Sequence, residues 1–316
     1  MSTMSNRSIF TKEPVIILVA VICTLLWGSA FPCLKIGYEL FALATNDIPG
    51  KLVFAGVRFT FAGLVTIAAG SLVSRRLLLP DRKNIRGIIL LGFVQTFLEY
   101  LFFYIGVANT TGVKSSILNS VSSFFAVILA HFCYKNDRIT PKKVAGCILG
   151  FIGVVLITLS GGSFGAGFNF TGDGFVIIAA ISFSVGFVIS KNVSANGDSV
   201  MISGWQLMIG GVGLLAVGLA FGGSLNVVTA EGIGLLVYLV ILSALAFGGW
   251  TILLKYNPVA KISIYNFLTP VFGALLSAVF LHEIFFTFQN LAALFCVCAG
   301  IYVVNHQKAV PFTDRS

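Results

Sequence analysis

Two charged side chains, Arg58 and Glu99, stand well inside long apolar stretches of this chain of 316 residues. An ionisable group so placed is costly in hydrocarbon unless it is paired or faces water, so its position alone points to a site. Arg58 follows the start of its stretch by about 7 residues, roughly 10 Å at a helical rise of about 1.5 Å per residue. Glu99 precedes the end of its own stretch by about 8 residues, which puts it at nearly the same depth. Opposite charges at matched depth on successive helices can pair, and the pair has two uses. It can lock two helices together, or the carboxylate can exchange a proton and so release the arginine for an anionic group of a ligand. Arg58 is thus a candidate ligand-binding residue and Glu99 a candidate proton-coupling residue.

A second constellation is neutral. Ser115, Ser116, Asn119, Ser120, Ser122 and Ser123 make the first half of one apolar run unusually polar. Asn119 shares one broad helical face with Ser115, Ser116, Ser122 and Ser123 at i±3 and i±4 spacing. Tyr265, Asn266, Thr269 and Pro270 occupy a comparable place in a later run. Pro270 lacks an N–H and so is expected to free the carbonyl of Asn266, four residues back. Small hydroxyl residues commonly serve helix packing in membranes, which is the expected use of the serines as a group. Amides are harder to bury unpaired, so Asn119 and Asn266 are expected in a pocket, with Ser123, Tyr265 and Thr269 beside them. Pro32 frees the carbonyl of Gly28 next to Trp27, which makes either a hinge or a tolerated kink. Pro32 and Pro270 are the gating candidates. Trp27 and Tyr104 are the aromatic candidates for stacking on a flat or cationic solute, and Tyr100, Trp205 and Trp250 are further aromatics of the same kind.

Little here suggests bond-making chemistry. The spans lack clustered histidines, paired aspartates or a nucleophile with its base, and His131 and His282 have no neighbouring ligand residue. The glycine pairs do not precede a Lys-Ser/Thr at phosphate-loop spacing. The six cysteines read as small apolar packing residues. We therefore expect no catalytic residue, metal or cofactor.

The elements that must position these residues follow from composition. Hydrophobic residues make up 57% of the chain and charged ones 10%, with a mean hydropathy of +0.99, against about 25% charged in soluble domains. That excludes a soluble enzyme, a disordered chain and a nucleic-acid binder, despite a net charge of +9. Ten runs approach the about 20 residues a spanning helix needs: 15–36, 51–73, 87–107, 113–134, 142–160, 173–190, 200–222, 232–254, 260–281 and 288–305. The first lacks a small-residue cleavage site and is expected to stay as a span. The connectors are too short for an extramembrane catalytic domain. Sixteen of the 20 basic residues fall on one side, among them Arg75, Arg76, Arg82, Lys83, Lys142, Lys143, Lys255 and Lys261. Both termini are therefore expected in the cytoplasm, with the chain in a cytoplasmic membrane.

The runs divide five and five. Lys114 to Gly153 overlays Lys261 to Gly300 at a constant offset of 147, matching Asn119 with Asn266. Trp27 to Lys35 overlays Phe183 to Lys191 at 156, and Arg58 to Gly63 overlays Gln206 to Gly211 at 148. Five is odd, so the second half enters from the opposite side, as in inverted-repeat transporters with a midplane site. The expected fold is an all-α membrane protein with ten transmembrane helices as two inverted five-helix repeats, 1–160 and 161–316.

At these residues the chain resembles the drug/metabolite transporter superfamily, and within it the EamA-type ten-helix proteins. The resemblance lies in Leu26-Trp27-Gly28-Ser29-Ala30-Phe31 with Lys35, in Arg58-Phe59 with Ala62, and in Tyr104-Ile105-Gly106-Val107-Ala108. It continues through Leu268-Thr269-Pro270, Leu281-His282-Glu283, Gln289 and Gly300. Three positions depart from the family pattern: Asn136-Asp137 stands where a Glu is usual, His282 replaces a Gly, and Gln206 is the repeat partner of Arg58. Asp137 and Glu283 read as solvated helix-end charges or as a shared gating contact. The resemblance implies transport of a small metabolite, often export of an amino acid or related solute. Only Arg58 among the basic residues has pocket depth, so a zwitterion or neutral solute fits better than a multiply charged phosphate. Expected partners are that solute, membrane lipids and a proton as candidate coupling ion, with no nucleic acid and with monomer and homodimer both open. A non-transporting receptor or lipid-handling scaffold is the alternative.

Overall fold

The computed structural model describes residues 8–110, 112–160, 167–195, 197–281 and 288–306. Arg7, Gly161, Gly162, His282, Glu283, Thr287, Lys308 and Arg315 lie outside the described residues, as do the side chains of Lys114 and Ser116. Within the described residues the regular structure is helical throughout. The helices are α1 (Glu13–Leu40), α2 (Ile48–Ser74), α3 (Ile85–Leu91), α4 (Glu99–Ala108), α5 (Gly112–Ser120), α6 (Ser122–Cys133) and α7 (Pro141–Ser160). They continue with α8 (Phe175–Ala195), α9 (Ser199–Ala220), α10 (Ala230–Tyr256), α11 (Val259–Ser263), α12 (Leu268–Leu281) and α13 (Phe288–Asn305). Eight stretches among the described residues are long and apolar enough to cross a membrane, and Ile117–Cys133 is a shorter apolar helix.

An all-helical solution follows from the composition, because hydrocarbon offers no water to satisfy an unpaired backbone group. Where helices meet the membrane edge, side chains cap them. Asp47 Oδ1 accepts from the Gly50 N–H at 2.8 Å, and Asp198 Oδ1 accepts from Val200 and Met201 at 2.9 and 3.0 Å. Outward faces carry Leu18, Leu64, Val65, Leu245, Phe280 and Phe295, all exposed, as a lipid-facing surface requires.

Three runs that periodicity presents as continuous are interrupted. The span Ile85–Ala108 contains a π-helical segment, Gly92–Leu98, between α3 and α4. The run 113–134 turns at Val121 between α5 and α6. A 3-10 turn, Ile264–Phe267, separates α11 from α12. The last break changes the role expected of Pro270. It sits in the first turn of α12, where a missing N–H costs little, and the Asn266 carbonyl accepts from the Leu268 N–H rather than standing free.

Close contacts between helices run through glycine. Helices α2 and α9 cross with their backbones nearly touching: a methyl on Gly63 would lie 2.5 Å from the Gly204 carbonyl oxygen, and one on Gly211 would lie 2.4 Å from the Thr60 nitrogen. Helices α7 and α13 meet in the same way at Gly146, Gly153 and Gly300. Helix α1 lies against α12 at Gly28 and against α10 at Gly249, while α8 packs against α4 and α6. In lipid, where burial of apolar surface does not drive association, such small-residue contacts hold helices together.

Gly211→Ala should therefore destabilise the protein by about 1–3 kcal/mol through overpacking. Gly234→Ala, on the exposed face of α10 with nothing within 4 Å of the new methyl, should be neutral or stabilise by up to about 1 kcal/mol. Thermal unfolding of both variants in detergent measures the contrast.

Candidate functional site

Arg58, on α2, is 2% exposed. Its Nε donates to Ser243 Oγ on α10 at 2.8 Å, and the Ser243 hydroxyl donates to the Leu239 carbonyl at 2.7 Å. The guanidinium lies over the Phe59 ring, 4.8 Å from its centroid, a cation–π contact. It forms no ion pair with Glu99, which corrects the pairing suggested by matched depth. The π-helical segment just before Glu99 supplies the reason. Its i→i+5 bonds widen the turn and rotate the face that follows, so that Tyr100 meets α2, with its ring 4.4 Å from Phe59. Glu99 is buried within electrostatic reach of Arg58, but its Oε2 has no hydrogen-bond partner.

From Phe59 an aromatic cluster extends across the molecule. Phe247 lies 6.1 Å from Phe59 and 5.4 Å from Trp27. Trp27 in turn lies 4.9 Å from Trp250 and 6.0 Å from Phe183. These rings come from α1, α2, α8 and α10. The indole N–H groups of Trp27 and Trp250 are buried without partners, as are Tyr104 Oη and Asn119 Oδ1. Gly248 is also buried, yet a methyl there would meet nothing within 4 Å, so the packing beside the cluster is open. Unpartnered buried polar groups are rare in folded proteins and are ordinarily completed by water or a ligand.

The neutral constellation divides. Asn266 Nδ2 donates to Ser122 Oγ at 3.3 Å and its Oδ1 accepts from Thr269 Oγ1 at 3.2 Å. Ser123 Oγ donates to the Ser263 carbonyl at 3.0 Å, and Ser184 Oγ to the Ser122 carbonyl at 2.7 Å. Asn266, Ser123 and Thr269 thus bridge the two helix breaks. Tyr265 is 1% exposed and its hydroxyl accepts from Asn305 Nδ2 at 2.6 Å, which ties the 3-10 turn to α13. Asn119, half-buried in α5, keeps its oxygen unpartnered. Pro32 is buried inside α1, and Gly28, whose carbonyl it frees, is pressed on Phe272 of α12. Among the sequence candidates, Arg58, Trp27, Glu99, Tyr104 and Asn119 present unsatisfied or singly bonded polar groups, while Asn266, Ser123 and Tyr265 are already bonded within the protein.

Ser243, Phe183 and Phe247 escaped sequence reasoning because a lone hydroxyl or a phenylalanine in an apolar run carries no local signal. One signal was available: Thr96 stands 147 residues before Ser243, the offset that relates Asn119 to Asn266. In the structure Thr96 Oγ1 donates to Gln206 Oε1 at 2.6 Å, just as Ser243 is bonded by Arg58. A separate cavity of about 590 Å³ at the membrane edge, lined by Arg76, Asp81, Asn84, Asp198 and Lys255, touches none of these residues.

Long apolar helices with breaks in mid-span, enclosing unsatisfied polar groups, define a multi-span membrane protein. A model of the EamA-like transporter family matches residues 14–159 and 170–306, and the chain belongs to that family. It is 28% identical over 289 residues to the WAT1-related protein At3g02690, chloroplastic, of Arabidopsis thaliana, covering 88% of this chain and 66% of that longer protein. It is 27% identical to the uncharacterized transporter YvbV of Bacillus subtilis (strain 168), covering 91% and 90% of the two chains. A protein solved by crystallography has a similar fold, with a TM-score of 0.76 at 20% identity, covering 92% of this chain and 96% of that one.

Trp27→Phe keeps one ring in the cluster but loses the unpartnered N–H and part of the ring volume, so it should cost about 1–2 kcal/mol. Trp27→Ala should cost about 3–5 kcal/mol. Thermal or denaturant unfolding followed by circular dichroism separates the two.

Proposed function

We propose that this protein is a secondary transporter, working as an exporter, for a small organic metabolite such as an amino acid or related solute. The observation that carries this is a set of buried polar atoms that the protein leaves unbonded: the Trp27 and Trp250 N–H groups within the aromatic cluster, and Glu99 Oε2 within electrostatic reach of Arg58. They come from helices of both chain halves, as a site between two moving units requires. Arg58, with one protein hydrogen bond to its five donors, is placed to bind a carboxylate. The solute is then a zwitterion or neutral molecule. The family and its relatives named as transporters support transport as the activity; export rests on resemblance alone.

The working architecture is ten crossings in two inverted halves, 1–160 and 161–316, which alternately expose the central site. The paired packing of α2 with α9 and of α7 with α13 supports it, since each pair is repeat-related in sequence. So do the matching bonds Arg58–Ser243 and Thr96–Gln206, whose residues correspond under the offsets of 147 and 148. The two mid-span breaks, at Val121 and at Ile264–Phe267, also fall at corresponding places. Both termini are cytoplasmic by the distribution of basic residues, in a cell membrane. Glu99 is the proposed proton-coupling residue, and its charge acts on Arg58 through space, without an ion pair between them.

Purified protein in liposomes should carry radiolabelled amino acids, polyamines or nucleosides from a mixed pool, faster when a pH gradient is imposed. Arg58→Gln should lower flux of a carboxylate-bearing solute about tenfold or more, the loss expected of a charge-assisted bond. Glu99→Gln should abolish the response to the gradient. A folded Arg58→Gln, Glu99→Gln protein that still couples flux to the gradient would remove both residues from the mechanism. No flux of any pooled solute by folded protein would count against transport and for the scaffold alternative.

A further inference from the structure

The face of the molecule on which α1 begins and α13 ends is closed by a strap. Residues 134–140 leave α6, cross over the start of α11 and turn into α7. Asp137, at the centre of the strap, is 2% exposed. Its Oδ1 accepts from Lys143 Nζ at 2.6 Å and its Oδ2 accepts from the Ala260 N–H at 3.0 Å, so one carboxylate joins the first half of the chain to the second. Lys143 Nζ also donates to the Arg138 carbonyl at 2.8 Å, which holds the strap in shape. Three further bonds flank the carboxylate: Tyr134 Oη donates to Asn192 Oδ1 at 2.7 Å, and Lys191 Nζ donates to the carbonyls of Leu254 and Asn257 at 3.0 and 2.5 Å. Lys191 also lies over the Tyr134 ring, within electrostatic reach of Asp137.

The segment that the strap crosses is buried. Val259, Ala260 and the whole of 262–268 are buried, as are Ser122, Ser123, Ser190 and Trp250. The strap differs from the layer it covers in that its flanking residues, such as Lys135, Asn136 and Arg138, are not buried. Water can replace each of the strap's polar contacts when they part, at a net cost far below that of the bonds in isolation. An apolar plug has no such exchange.

We propose that Asp137 is the latch of the gate on this face: with its bonds to Lys143 and Ala260 made, the central site is shut off from this side, and their rupture opens it. The proposal rests on the transport function above and specifies how access to that site is controlled. Asp137 acts by holding two chain segments together, not by touching the solute.

The test is the reactivity of a cysteine placed under the strap, Ser263→Cys, in a chain whose six native cysteines are replaced. A membrane-impermeant thiol reagent is applied from the strap face of protein in liposomes. Asp137→Ala should raise the labelling rate about tenfold or more, as expected for loss of a charged hydrogen bond. Asp137→Asn, which keeps an acceptor for Ala260 but loses the charge paired with Lys143, should give a smaller rise. Lys143→Met provides a second route if Asp137→Ala does not fold, and should also raise labelling. Unchanged labelling in the folded variants would overturn the latch. Labelling needs no solute, so the two readings fail separately. Raised labelling in a protein without flux would leave the latch and remove the transporter. Wild-type flux with unchanged labelling would do the reverse.

Discussion

A polar group in hydrocarbon that finds no protein partner has no water to turn to, and the arrangement of this molecule follows from that constraint. The backbone meets it by staying helical. Where the helices break in mid-span, at Val121 and across Ile264–Phe267, side chains from neighbouring helices close the gaps: Ser123 reaches the Ser263 carbonyl, Ser184 the Ser122 carbonyl, and Asn266 the Ser122 hydroxyl. These serines and the asparagine are the condition under which the breaks can exist. Beside those satisfied groups, the Trp27 and Trp250 N–H groups and Glu99 Oε2 are buried without a partner in the protein.

Close approach between helices is the second consequence. Without a hydrophobic drive between surfaces that lipid solvates equally well, association depends on contact area and short distances. The glycines of α2 and α9 bring two backbones together where any side chain would intrude. A crossing of this kind leaves no room between the backbones, while the strap at Asp137 offers contacts that water can exchange. The molecule thus combines apolar contacts that do not open with polar ones that can.

Charge placement obeys the same rule with a different outcome at each depth. At the membrane edge Asp47 and Asp198 cap helices, and Asp137 is bonded on both oxygens. At mid-depth Arg58 is held by a single serine and an aromatic face, and Glu99 keeps an oxygen free. Such incomplete satisfaction is unfavourable to the fold on its own account, which is why it marks function more sharply than the presence of the charges does.

Much of this was fixed by the order of residue types. Apolar runs of spanning length dictated helices, and the apolar surroundings of Arg58 and Glu99 dictated that both be buried. Periodicity reads a helix as uniform, however, and so it missed the π-helical segment just before Glu99 and the 3-10 turn that relieves Pro270 of its expected role. Nor does sequence spacing say which partner a side chain meets across a helix boundary. Ser243 reaching Arg58, Trp27 meeting Trp250, and Asp137 bonding the amide of Ala260 are contacts between residues 123 to 223 positions apart. A sequence sets local geometry through bonded neighbours, whereas these pairings depend on how helices rotate and cross, which only their packing against one another decides.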